Sequence, residues 1–204
     1  MQLIGMMDSP YVRRVAISLH VLGFEFEHRS ISVFGGYDEF ARINPVVKAP
    51  TFIDSDGTQL IDSTLILDYL DRKVPAAQRL MPEETLERTY ALRVTGFALA
   101  ATEKTVQQVY ERALRPAERQ HEPWFERVHA QMHAAWGVLD TLVAGRDGWL
   151  CAGRITQADI TAAVAWRFMQ HMLPGSVDAA RYPAIAALSA RAEALPEFIA
   201  TPLE

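Results

Sequence analysis

Cysteine, excess positive charge and long apolar runs are all scarce in this chain, and each shortage closes off a class of function. One cysteine in 204 residues excludes an internal disulfide and any zinc site built from several thiolates. Twenty Lys and Arg stand against 25 Asp and Glu, a formal net charge of −5, so the basic field that dominates nucleic-acid affinity is missing. The most apolar stretch, residues 161–173, is broken by Arg167, Gln170 and His171. It falls short of the roughly 20 apolar residues that span a bilayer. Met1-Gln2-Leu3-Ile4-Gly5 shows neither the basic nor the apolar segment of a signal peptide. The expectation is a soluble cytoplasmic protein that engages neither membrane nor nucleic acid. What the chain does have is apolar mass: 50% hydrophobic residues exclude intrinsic disorder and suffice for one large core or two small ones.

Two grammars divide it. Residues 1–74 alternate strand-like and helix-like segments in the order β-α-β-(α)-β-β-α. Residues 2–5 form a short apolar run stopped by Asp8-Ser9-Pro10. A helix is predicted from there, with Ser9 as N-cap, Pro10 at its first position, and Val12, Val15, Ala16, Leu19 and Leu22 at helical spacing. Gly23 stands where a left-handed C-terminal residue belongs. Phe24, Phe26 and His28 alternate with Glu25, Glu27 and Arg29, which predicts a strand over 24–29. Residues 33–44 read as a loop with a short helix ended by Asn44-Pro45. Runs 49–53 and 59–61 flank Asp54-Ser55-Asp56-Gly57, a hairpin signal, and a helix follows from Asp62-Ser63. Residues 74–82, with Pro75 and Pro82, read as the linker. Residues 83–204 show only helical patterns, over 86–115, 121–144, 156–173 and 183–194.

Three places in the first half suit binding chemistry. Ser9 lies where a first strand feeds a helix N-terminus, which offers positive partial charge and free N–H groups. A thiolate held there is stabilised, and a serine hydroxyl donates one more hydrogen bond to it. Simple capping explains Ser9 as well. Lys48-Ala49-Pro50 opens a strand-like run with a proline that cannot join the ladder. A cis Ala49–Pro50 bond would turn the chain and present the Ala49 backbone to a groove, with Lys48 as a cation for a small carboxylate. An ordinary loop proline beside a solvated lysine fits equally. Asp62-Ser63 again opens a helix, where Ser63 suits a carboxylate and Asp62 an ammonium group; here too capping is the alternative.

Taken in order, strand–Ser-Pro–helix, Lys-Ala-Pro and Asp-Ser opening a helix resemble the thioredoxin-like domain of cytosolic glutathione S-transferases, in a bacterial, Ser-type version. Gly153-Arg154-Ile155-Thr156-Gln157-Ala158-Asp159-Ile160 is similar to the N-capping box and hydrophobic staple of that family's helical domain. The resemblance implies a βαβαββα domain over 1–74, an all-α domain over 83–204, and glutathione as co-substrate without a metal. It implies that Ser9 activates the thiol and that Lys48 meets the glycyl carboxylate. Ala49 would pair through its main chain with the cysteinyl unit before cis-Pro50, and Asp62 and Ser63 would grip the γ-glutamyl end. It further implies a homodimer that detoxifies small hydrophobic electrophiles, with Tyr11, Phe34, Tyr110 and Trp166 as candidate pocket walls. A non-catalytic ligand-binding or regulatory protein, or a glutathione-dependent isomerase or dehalogenase, uses the same scaffold. Arg13 and Arg14 oppose the helix dipole and are expected in salt bridges. Cys151, among apolar neighbours, reads as a packing thiol. His129 and His133, at i, i+4, lack a third ligand and are set aside as a zinc site.

Overall fold

The computed structural model describes residues 1–203. Its first strands are three residues long each: β1 (Gln2–Ile4), β2 (Glu27–Arg29), β3 (Thr51–Ile53) and β4 (Gln59–Ile61). They form one sheet in the order β2-β1-β3-β4. β2 runs parallel to β1, whereas β3 is antiparallel to β1 and to β4. Strand side chains alternate between faces, so neighbours Leu3 and Ile4 enter different cores. Leu3 and its register partner Phe52 pack with Val12, Val15, Ala16 and Leu19 of α1 (Pro10–Val21) and Ile66, Leu67 and Leu70 of α3 (Ser63–Arg72). Ile4 packs on the opposite side with Ile31 and with Phe40 of α2 (Tyr37–Ile43).

The second predicted strand is shorter than its alternation. Only Glu27–Arg29 pairs, because β1 offers three partners, Gln2, Leu3 and Ile4. Phe24 and Phe26 instead pack against the α1–α3 core. Phe24 also closes α1: its N–H bonds Leu19 O at 2.9 Å while Gly23 N–H bonds His20 O at 3.0 Å. Gly23 takes φ +75°, so this is a Schellman C-cap.

The helical part contains α4 (Thr85–Ala113), α5 (Glu122–Val143), α6 (Gln157–Met172) and α7 (Pro183–Glu193). α6 is buried along most of its length, which explains why its pattern is apolar nearly all round. Asp159 anchors its start, accepting from Leu150 N and Thr156 N at 2.9 Å each and from the Thr156 hydroxyl at 2.6 Å.

The chain divides into two compact units, residues 1–81 together with those from Ala194 on, and Pro82–Glu193. The sequence boundary at 83–204 therefore needs correction at its far end. A short helix, α8 (Pro196–Ile199), which the pattern reading missed, belongs to the first unit. Arg13 explains the attachment. Its guanidinium donates to Thr201 O at 2.7 Å and Phe198 O at 3.4 Å and lies over the Phe198 ring. The predicted linker is also tied down: the Asp71 carboxylate accepts Leu80 N and Met81 N at 2.9 Å each.

Candidate functional site

The strand register decides which residues meet. Thr51 is the partner of Ile4 on one side and of Ile61 on the other, so β1 ends, β3 begins and β4 ends along one row. Ser9, the Lys48-Ala49-Pro50 segment and Asp62-Ser63 follow or precede those three strand ends. All three therefore leave the sheet at the same edge, and α1 and α3 both begin there.

Gly5 makes the close approach possible. At φ +135° it lies where side-chain-bearing residues are rare, and a Cβ on it would meet Val12 Cγ2 at 2.6 Å and Ala49 Cβ at 2.9 Å. The end of β1, the first turn of α1 and Ala49 thus touch around a residue with no side chain. Ser9 is the N-cap of α1; its Oγ accepts from Val12 N at a long 3.4 Å, which leaves the hydroxyl proton to donate elsewhere.

The Ala49–Pro50 bond is cis. Asn44, a residue the sequence reading used only as a helix stop, builds the segment before it. Its buried side chain accepts from Val46 N at 3.0 Å and donates to Thr51 Oγ1 at 2.9 Å, and that hydroxyl donates to Lys48 O at 2.9 Å. An Asn-Pro pair ahead of a strand is the signal that points to such an Asx turn. Val47 is held at φ +52°, a strained setting for a β-branched residue. Lys48 is exposed, Ala49 half-buried and Pro50 buried.

Asp62 is the N-cap of α3, with φ +70° and its Oδ1 accepting from Thr64 N at 2.9 Å. Ser63 is buried, and its Oγ accepts from Arg14 Nη1 at 3.2 Å. Arg14 also donates to Thr64 Oγ1 at 3.3 Å, and among the described residues it makes no ion pair, contrary to the salt bridge expected for it. Burial lowers its pKa to about 10, with the Asp62 charge acting the other way.

The remaining candidates separate by burial. Tyr11 is half-buried, Phe34 is 57% exposed on the loop before α2, and Tyr110 is 45% exposed on α4. Trp166, expected as a pocket wall, is instead a core residue of the helical unit: it is 5% exposed and edge-on to Trp136 at 5.0 Å and to Tyr182 at 6.1 Å. Cys151 is buried, and desolvation with the charges of Asp159 and Glu87 pushes its thiol up to about 11. A thiol held protonated in this way is a poor nucleophile.

His129 and His133 are engaged with each other. Gln108 donates its amide to Lys104 O at 3.0 Å, so its oxygen faces His129 Nδ1 at 2.9 Å and accepts. His133 Nε2 lies 3.1 Å from His129 Nε2, and His133 Nδ1 lies 2.8 Å from the Tyr182 hydroxyl, which also donates to His133 O at 3.3 Å. Among the described residues no group of three or more His, Cys, Asp or Glu is placed to hold a metal, and no helix is long and apolar enough to cross a membrane.

A four-stranded βαβαββα unit with helix N-termini gathered at one sheet edge, followed by an all-helical unit, defines a thioredoxin-like domain joined to a helical one. Residues 3–78 match the family profile described as glutathione S-transferase, N-terminal domain, and residues 122–191 match glutathione S-transferase, C-terminal domain. The chain belongs to the glutathione S-transferase family. It is 27% identical over 177 residues to the uncharacterized GST-like protein YibF of Escherichia coli, covering 86% of each. It is 28% identical to a probable maleylacetoacetate isomerase of Vibrio cholerae, over 96% of this chain and 92% of that one. A glutathione S-transferase of Methylobacterium radiotolerans, solved in complex with glutathione sulfonate, superimposes with a TM-score of 0.90 at 28% identity. That likeness covers 98% of this chain and 93% of the other.

Proposed function

We propose that the chain is a glutathione transferase in which Ser9 holds the sulfur of glutathione as a thiolate for attack on a small hydrophobic electrophile. The observation that carries this reading is the shared sheet edge, where a helix N-cap serine, the residue before a cis proline and a second helix N-terminus converge. The glutathione sulfonate bound by the structural relative supports a tripeptide ligand of that class. Lys48 would meet the glycyl carboxylate, the Ala49 main chain the cysteinyl unit before Pro50, and Asp62 and Ser63 the γ-glutamyl end. A ligand with two carboxylates and one ammonium suits a lysine, a helix N-terminus and an aspartate.

In the reaction the thiol proton leaves to solvent and the sulfur electron pair forms the new bond to carbon. The leaving group departs with the electrons of the bond it breaks; in an addition, the neighbouring carbon takes up a proton instead. Lowering the thiol pKa by about two units requires about 2.7 kcal/mol. A helix N-terminus and one charge-assisted hydrogen bond together supply that order of stabilisation. Tyr11 and Phe34 are the aromatic side chains of the first unit that we assign to the electrophile. Calorimetric titration with glutathione is expected to show binding, and absence of heat at millimolar ligand would refute the reading.

The name of the Vibrio cholerae relative favours one second reading, a glutathione-dependent isomerisation. Mass balance separates the two: glutathione is consumed in transfer and recovered in isomerisation. We further infer a cytoplasmic homodimer of bacterial origin, in keeping with the bacterial sources of the relatives that span nearly the whole chain. Leu65 on α3 and Leu86 and Leu92 on α4, each more than half exposed, supply apolar surface for a second copy. Sedimentation equilibrium is expected to give twice the chain mass, and a single-chain mass at micromolar protein would contradict the dimer.

A further inference from the structure

Arg14 is a cation sealed inside the first unit without a carboxylate in contact with it. It is 2% exposed, and its Nη1 reaches only two hydroxyls, Ser63 Oγ at 3.2 Å and Thr64 Oγ1 at 3.3 Å. Its Nε is buried with no hydrogen-bond partner. The nearby Asp62 stands beyond ion-pair contact, with its Oδ1 occupied by Thr64 N. Buried charges are usually paired, so a guanidinium left in this state marks a place where negative charge is missing.

The two contacts also fix the serine. A hydroxyl has one proton and two acceptor pairs. Because Arg14 donates into one of those pairs, the Ser63 proton is turned away from the guanidinium and is free to donate. The first residue of α3 adds its own unpaired N–H and the positive end of the helix. We propose that Arg14 is a positioning residue for the carboxylate at the γ-glutamyl end of glutathione: it holds the Ser63 hydroxyl as a donor and supplies the buried positive charge behind it. The proposal rests on the glutathione reading above, to which it adds a residue that does not itself touch the ligand.

The test compares two ligands: glutathione and the analogue whose γ-glutamyl unit is replaced by 4-aminobutyrate, which lacks only that carboxylate. Both keep the thiol and the glycyl end. The unsubstituted protein is expected to prefer glutathione. Arg14→Gln, which keeps a donor but no charge, is expected to weaken glutathione by about tenfold or more and the analogue by less than about twofold. Arg14→Lys, which keeps the charge, is expected to retain most of the preference. Equal weakening of both ligands in a folded Arg14→Gln protein would make Arg14 a purely structural residue and overturn the proposal. Failure of the unsubstituted protein to bind either ligand would sink the glutathione reading itself. Equal affinity for both would leave that reading standing and remove the role of Arg14. If Arg14→Gln does not fold, the Arg14 Nε–H NMR resonance of the unsubstituted protein decides. It is expected to shift with glutathione and not with the analogue, and the same response to both would overturn the proposal.

Discussion

The Ser9 hydroxyl can both accept and donate a hydrogen bond. Its oxygen accepts from Val12 N while its proton remains available to a ligand, so the capping and thiolate-binding readings coexist. Capping serines contribute about 1 kcal/mol to helix stability. His133 gives the molecule a pH dependence of its own. Burial first, then the charges of His129 and Arg181, hold its imidazole below the ordinary 6.5. Folding therefore favours the neutral ring, and the stabilisation is complete above that value and lost as pH falls through the lower, folded one. Denaturant unfolding is expected to show stability declining below about pH 6.5, and His133→Gln is expected to make that decline shallower. An unchanged slope in the variant would show that other groups cause it.

At the scale of elements, the glycine after β1 decides whether the sheet edge can form. Gly5→Ala forces a Cβ into Val12 and Ala49 at a backbone angle that alanine avoids. We expect a loss of about 2–4 kcal/mol by thermal or denaturant melting, above what an exposed glycine would cost. A loss under about 1 kcal/mol would mean that α1 and the Ala49 segment yield easily. Elements with local signals are legible in the sequence. Ser9-Pro10 opened α1, Gly23 closed it, and Asp54 to Gly57 marked the hairpin between β3 and β4. What was illegible depended on distant partners. The length of β2 is set by β1, and α8 is four residues held by Arg13, whose carbonyl partners lie almost the whole chain away. The helix dipole predicts a salt bridge for Arg14; only the fold shows that α3 brings hydroxyls to it instead.

At the scale of the whole molecule, the two grammars of the sequence correspond to two compact units, with the last residues returning to the first. The lone cysteine lies in the helical unit, buried and held protonated. The proposed site in the first unit has a serine where thiol transfer through a mixed disulfide would need a cysteine. The sulfur chemistry we propose therefore depends on a thiol that arrives with the ligand. The pKa of glutathione's thiol when bound, read from thiolate absorbance against pH, tests this most directly. It is expected to lie about two units below that of free glutathione, and Ser9→Ala is expected to return it most of the way. A bound thiol with the pKa of free glutathione, unchanged by Ser9→Ala, would contradict the assignment of Ser9.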